Sequence, residues 1–168
     1  IDPVTTSAKI ITELQTIISR ELDPLESAVI SITTVHGGEA FNVIPPDMRL
    51  QGTIRALSTK QLKQLQERVR EVGVQIAAAN RCDAVVEFPG NAYPPTVNDE
   101  HCWQLVQQVG ADLLGAGKVI EAPPIMGGED FAYYTEVVAG CFVGLGVRNH
   151  EIGAEYSVSS RPSASGRH

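Results

Sequence analysis

The chain has 168 residues, 43% of them hydrophobic and 20% charged, which is enough to bury a core in the ordinary globular class. A formal net charge of −7 argues against a nucleic-acid partner, which calls for a basic face, and no apolar run reaches the length of a membrane span. Residues 1–20 lack the basic-then-apolar layout of a signal peptide, and Cys82, Cys102 and Cys141 are an odd, scattered set that reads as reduced, mostly buried thiols.

Asp2-Pro3 is a helix start, with Asp at the cap and Pro at the first helical position. Ile11, Leu14 and Ile18 mark one face until Asp23-Pro24 stops the helix. Ala28 to Val35 is rich in β-branched residues and predicts a strand, followed by the turn-rich His36-Gly37-Gly38-Glu39. Met48, Leu50, Gly52, Ile54 and Ala56 alternate with Arg49, Gln51, Thr53 and Arg55, the pattern of a strand with one polar face. Ser58 caps a second predicted helix, on which Leu62, Leu65, Val69, Val72 and Ile76 form a stripe for core packing. Asp83 to Phe88 predicts one more strand, closed by Pro89-Gly90.

Residues 1–90 therefore run helix, strand, strand, helix, strand. The expected class is α/β, of the α+β kind: a ferredoxin-like split βαβ unit without its first strand, so that a sheet edge stands open. After the connector Asn91 to Val97, Asn98 or Asp99 caps a third helix with Trp103, Val106, Gly110, Leu113 and Leu114 on its expected buried side, ended by Gly115 and Gly117. Lys118 to Ala122 predicts a short strand, Phe131 to Val138 a short helix and Cys141 to Val147 a buried strand. From Ser157 the periodicity ends, and residues 157–168 have the composition of a disordered tail.

Between Pro123-Pro124 and the fourth helix lies Met126-Gly127-Gly128-Glu129-Asp130-Phe131, a run with the character of a site loop. Two glycines let backbone approach a ligand, and two carboxylates follow where a helix can begin. Hydrolytic chemistry at such a loop usually needs three or four metal ligands, and no two of the four histidines and three cysteines stand at a convincing ligand spacing.

Two groups of motifs carry a resemblance. Ser19-Arg20-Glu21, Asp23-Pro24, His36-Gly37-Gly38, Asn42-Val43-Ile44-Pro45 and Gly52-Thr53-Ile54-Arg55 resemble the inserted dimerisation domain of the zinc-peptidase-like N-acyl-amino-acid amidohydrolases. Tyr93-Pro94, Thr96-Val97-Asn98, Met126 to Phe131 and Gly146-Val147-Arg148-Asn149 resemble the returning half of that family's catalytic domain. The family includes hippurate hydrolases and plant hydrolases of auxin–amino-acid conjugates, and Tyr133-Tyr134 leans towards the plant-type branch. The resemblance covers about residues 1–157 and divides the chain into a dimerisation (lid) domain at 1–90, a C-terminal portion of the catalytic domain at 91–156 and a non-family tail at 157–168.

What the resemblance implies is a pair of divalent metals (zinc, manganese or cobalt) that polarise an amide carbonyl and activate a water, with a glutamate as general base. The family's Cys-Gly-His-Asp run and adjacent glutamate pair match positions upstream of Ile1, and its remaining ligand histidine falls at Ser159. A hydroxyl is a poor replacement for imidazole on zinc. No cofactor is therefore expected on this chain alone, and no complete catalytic set.

The resemblance makes Asn42 a substrate-binding residue near the scissile carbonyl, where an amide donates to a developing oxyanion; taken alone, Asn42 is equally a turn residue. It sets Arg55 towards the substrate carboxylate, for which a guanidinium fork is suited; taken alone, Arg55 is a solvated strand arginine. Gly127 and Gly128 present backbone amides to the substrate, and Glu129 and Asp130 order the loop, although alone they read as N-terminal helix acids. His36 and His101 read as a turn residue and an exposed first-turn helix residue, and His150 and His168 receive no role.

The expectation is a truncated member of the metal-dependent amidohydrolases that cleave N-acyl amino acids, catalytically silent in isolation, soluble, and homodimeric through residues 1–90. Its compartment would be the cytoplasm or, for a plant-type member, an organelle or the endoplasmic-reticulum lumen. The alternative is a non-catalytic dimerisation or partner-binding module. A third reading takes the loss of the family pattern at Ser157 as the mark of a shifted frame or alternative splice end.

Overall fold

The computed structural model describes residues 1–90, 93–147 and 151. Helix α1 spans Pro3–Thr16 and continues into a π-helical turn at Ile17–Glu21. Strands β1 (Ala28–His36) and β2 (Arg49–Ala56) follow, then α2 (Thr59–Ala79), α3 (Glu100–Leu114) and the short α4 (Phe131–Thr135). The class is mixed α/β, with an open two-stranded sheet as its β part.

The predicted helix signals act as their chemistry requires. The Asp2 carboxylate accepts from the Val4 and Thr5 amides at 2.9 and 3.3 Å, and Ser58 Oγ accepts from the Gln61 amide at 3.2 Å. Each replaces an acceptor that the first turn of a helix lacks. On α2, Leu65, Val69 and Val72 are buried, while Leu62 and Ile76 pack at the margin of the same cluster. On α1 the face is broader than predicted. Leu14 is buried and Ile18 packs beside it, but the most enclosed large side chain is Ile17, only 2% exposed at the start of the π-helical turn.

β1 and β2 pair antiparallel, with Ala28 opposite Ala56 and Ile30 opposite Ile54 on the face covered by α1 and α2. The alternation read from Met48 to Ala56 holds: Leu50 and Ile54 are half-buried and Ala56 buried, while Arg49, Gln51, Thr53 and Arg55 are exposed. A register shift between Ile32 and Thr34 leaves Thr33 without a cross-strand partner. Beside it, Gly52 faces Ile32 so closely that an added Cβ would lie 2.1 Å from the Ser31 carbonyl oxygen. Outside the core, Arg68 bridges Glu21 at 2.7 Å and Glu71 at 2.6 Å. The Arg68 hydrogen bonds hold the Glu21 carboxyl below its usual range.

The expected third strand at 83–88 has no regular secondary structure and joins no ladder among the described residues. Its residues alternate between half-buried and exposed; Val86 lies against Gly73, and Phe88 lies under the Arg70 guanidinium at 5.1 Å. It has the side-chain pattern of a strand without a neighbour to supply backbone partners, and a ladder needs both.

Beyond residue 93, packing is thin. Asp99, not Asn98, caps α3, accepting from the Cys102 amide at 3.0 Å. The Asn98 side chain instead exchanges two hydrogen bonds with Phe142 backbone, at 2.7 and 3.1 Å. The stripe on α3 is covered only in part: Trp103, Val106 and Gly110 are half-buried, with Val119 against Gly110, but Leu113 and Leu114 are exposed, Leu113 to 77%, and no α3 residue is fully buried. Residues 118–122 form no strand, and 141–147 have no regular secondary structure and are mostly exposed, not a buried strand. At the end of α3 and along 141–147 the apolar pattern is present but lies largely open among the described residues. The three cysteines are free and half-buried, less enclosed than expected. The predicted tail, including Ser159 and His168, lies outside the described residues, as do Arg148, Asn149 and His150.

Candidate functional site

The turn-rich segment after β1 sets Asn42 on an exposed loop whose turn is closed by the Val43 amide on the Ala40 carbonyl, 3.3 Å. His36 is the last residue of β1, opposite Arg49 and exposed, and His101 is exposed in the first turn of α3. No hydrogen bond joins Asn42 to the other site residues among the described residues.

Arg55 and the glycine–acid loop do come together. β2 alternates, so Arg55 points off the polar face of its strand, where its Nη1 donates to the Met126 carbonyl oxygen, 71 positions away in sequence. Residue spacing carries no signal for that bond, because the acceptor is a backbone carbonyl that every residue possesses.

The loop itself is ordered from both sides. Gly128 lies beside Tyr93, where an added Cβ would come within 3.2 Å of the ring, and Tyr93 in turn stacks at a tilt on Tyr133, centroids 5.8 Å apart. Neither Gly127 nor Gly128 is in a left-handed conformation, so close approach and not backbone handedness explains glycine at 128. Glu129 is half-buried, and its Oε1 accepts from the Asp130 amide at 3.1 Å. The Glu129 and Asp130 carbonyls accept from Ala132 and Tyr133 at 3.2 and 3.1 Å, opening α4. Asp130 sits at the helix cap without a side-chain cap bond, and it is exposed.

Near α3, partial burial first, and then the Asp99 carboxylate, raise the Cys102 and Cys141 thiols above their usual range. Raised thiols hold little thiolate at neutral pH, which makes both poor nucleophiles. An open hollow of about 530 Å³ lies between residues 97–100 and 135–140, and neither Arg55, Gly127 nor Gly128 lines it. The substrate-binding candidates therefore lie on a different surface.

The implied metal pair does not fit the described residues. No group of three or more His, Cys, Asp or Glu side chains among them converges as a metal site would require. Glu129 and Asp130 supply two adjacent carboxylates, but one is turned onto backbone and no imidazole joins them.

An open α/β unit whose strand arginine holds a Gly-Gly-acid loop defines a class more readily than a finished catalytic centre. Comparison with known proteins gives the class its name: the profile of Peptidase family M20/M25/M40 matches residues 3–161, and the chain belongs to that family. It is similar to IAA-amino acid hydrolase ILR1-like 2 of Arabidopsis thaliana, 42% identical over 96% of this chain and 37% of the relative. It is also similar to N-acetyldiaminopimelate deacetylase of Bacillus subtilis, 39% identical over 86% of this chain and 38% of the relative. Among solved structures, a Bacillus subtilis YXEP protein, described as a dinuclear metal binding peptidase from the M20 family, superposes with a TM-score of 0.68 at 32% identity. That match covers 83% of this chain and 35% of the other. The chain thus spans little more than a third of the length of these relatives.

No helix among the described residues is long and apolar enough to cross a membrane.

Proposed function

We propose that this chain is the substrate-binding part of a metal-dependent amidohydrolase that cleaves the amide bond of N-acyl amino acids, with auxin–amino-acid conjugates as one candidate class. Residues 1–90 would be a ferredoxin-like lid and dimerisation domain without its first strand, and residues 91–156 a portion of the catalytic domain. Arg55 would pair with the substrate carboxylate, Gly127 and Gly128 would offer backbone amides, and Asn42 would reach the scissile carbonyl. Glu129 and Asp130 would keep the loop in shape.

The observation that carries this reading is the contact between Arg55 and the Met126 carbonyl, which sets a cationic fork beside the glycine pair. An acylated amino acid has a carboxylate and an amide carbonyl a few bonds apart, and a guanidinium next to backbone donors is chemistry suited to both. The names of the relatives, an amino-acid-conjugate hydrolase and a deacetylase, support the same bond type.

The test separates binding from turnover. With zinc, manganese or cobalt added, the chain should hydrolyse N-benzoylglycine no faster than buffer, because the metal-bound nucleophile and the general base supply most of the barrier reduction. N-Benzoylglycine should nevertheless perturb the amide signals of residues 126–130, and Arg55→Ala should abolish that response. Chelator-sensitive turnover, or binding indifferent to Arg55, would overturn the proposal.

A second reading, a dimerisation or partner-binding module, is favoured by the unladdered segment 83–88 and the two-stranded sheet. It predicts a homodimer through residues 1–90, seen as a particle twice the 18.0 kDa chain mass in light scattering. A particle that stays at 18.0 kDa across a broad concentration range would remove that reading.

A further inference from the structure

Among the described residues, one hydrogen bond joins residues 1–90 to residues 93–147, and it is the bond from Arg55 Nη1 to the Met126 carbonyl. The apolar core ends with Phe88, and the ring contacts of the second half run among Tyr93, Phe131, Tyr133, Tyr134 and Phe142. Arg55 thus makes a connection that the core does not.

The acceptor also has a particular identity. The Met126 carbonyl and the Gly127 amide belong to one planar trans peptide group, so the N–H points opposite to the C=O. Wherever the carbonyl is held, the direction of the Gly127 donor is fixed. Glycine on the C-terminal side of this peptide leaves rotation about it cheap, so the group has two accessible orientations, with either its carbonyl or its N–H turned to β2. A cation at β2 accepts only the first, because a guanidinium has donors and no acceptor.

We propose that Arg55 is a positioning residue that selects one orientation of the Met126–Gly127 peptide and so aims the Gly127 N–H away from β2. The guanidinium also polarises that peptide, which strengthens the N–H as a donor on its far side. Four of the five guanidinium N–H groups remain for an anion, so the same side chain sets both the loop and a binding edge. This inference deepens the proposed function and rests on it only for the use of the donor; the peptide orientation stands without any substrate.

The test is an amide NMR spectrum of the full chain without ligand. In the wild type, Gly127 should give one sharp signal. In Arg55→Ala, that signal should broaden or double, with the flipped form rising about tenfold as the charged hydrogen bond is lost. Signals from Ile30, Ile54 and Leu65 should stay in place, which shows that the core is intact. Arg55→Lys, whose ammonium can donate to the same carbonyl but has no fork, should restore a single Gly127 signal while failing to restore the N-benzoylglycine response. An unchanged Gly127 signal in Arg55→Ala overturns the proposal, as does a change spread equally over β1, β2 and α2. An Arg55→Lys chain as heterogeneous at Gly127 as Arg55→Ala overturns it too. A restored Gly127 signal with no ligand response in the wild type would sink only the substrate reading.

Discussion

Ile17→Ala should lower stability by about 2–5 kcal/mol, the cost of deleting a well-buried branched side chain and leaving a cavity behind. Ile17 is 2% exposed and belongs to the cluster that includes Leu14, Ile30, Leu65, Val69 and Val72. It is also the hinge in the course of the first helix, where α1 gives way to the π-helical turn and the Leu22 amide closes on the Ile17 carbonyl at 3.1 Å. Alanine is the better helix former, but that gain is at most about 0.7 kcal/mol and does not offset the cavity. Small domains have only about 5–15 kcal/mol in total, so the variant should unfold at a clearly lower urea midpoint. Leu113→Ala is the control: at 77% exposure, it should shift the midpoint by no more than about 0.5 kcal/mol. Equal midpoints for Ile17→Ala and the wild type would mean that the cluster around α1 is not the core.

That contrast follows the grain of the molecule. Residues 1–88 carry the cluster of buried apolar side chains, while α3 has none. These relatives are more than twice as long as this chain, and an open apolar stripe such as that of α3 is a surface that further packing can cover. Among the described residues, the first part holds a core and the loop is tied to β2, while no group of side chains completes a metal site.

What the sequence disclosed depended on whether the signal was local. Ser58, and Asp99 as one of a pair with Asn98, are read from a few residues, because a cap satisfies amides only three positions away. The alternation from Met48 to Ala56 is equally self-contained, and both the strand and its polar face appear as expected. Residues 83–88 show the limit of such patterns. Their periodicity is correct, yet a strand also needs a neighbour, and periodicity does not say whether one exists. The stripe on α3 held at Trp103, Val106 and Gly110 and not at Leu113 or Leu114, since amphipathicity marks which side is apolar and not how far a neighbour covers it. At the site, the motif resemblance picked out Arg55, Gly127 and Gly128 separately. The bond that joins the arginine to the loop ends on a carbonyl and could be found only in three dimensions.

Gly52→Ala should destabilise the sheet by about 1–3 kcal/mol, a cost of overpacking and not of lost contacts. The new Cβ would sit 2.1 Å from the Ser31 carbonyl oxygen and 3.0 Å from the Ile32 Cα. Both are backbone atoms, so no side-chain rotation relieves the clash and the strands must part. Against this stands the usual gain from replacing glycine within a strand, a fraction of the roughly 1 kcal/mol span of strand propensities. Overpacking is the larger effect. The register shift at Thr33 makes the neighbourhood the place where the ladder is already interrupted, so parting should begin there and spread towards Thr34 and Gln51. Arg55 lies three residues along the same strand, and moving β2 would carry its guanidinium away from the Met126 carbonyl. Hydrogen exchange should therefore quicken at residues 30–35 and 50–55, and the Gly127 amide should become heterogeneous although the loop is unaltered. Thr53→Ala, one position on and exposed, should do neither. If Gly52→Ala were as stable as the wild type, the close approach of the two strands at Ser31 would not be part of the folded protein.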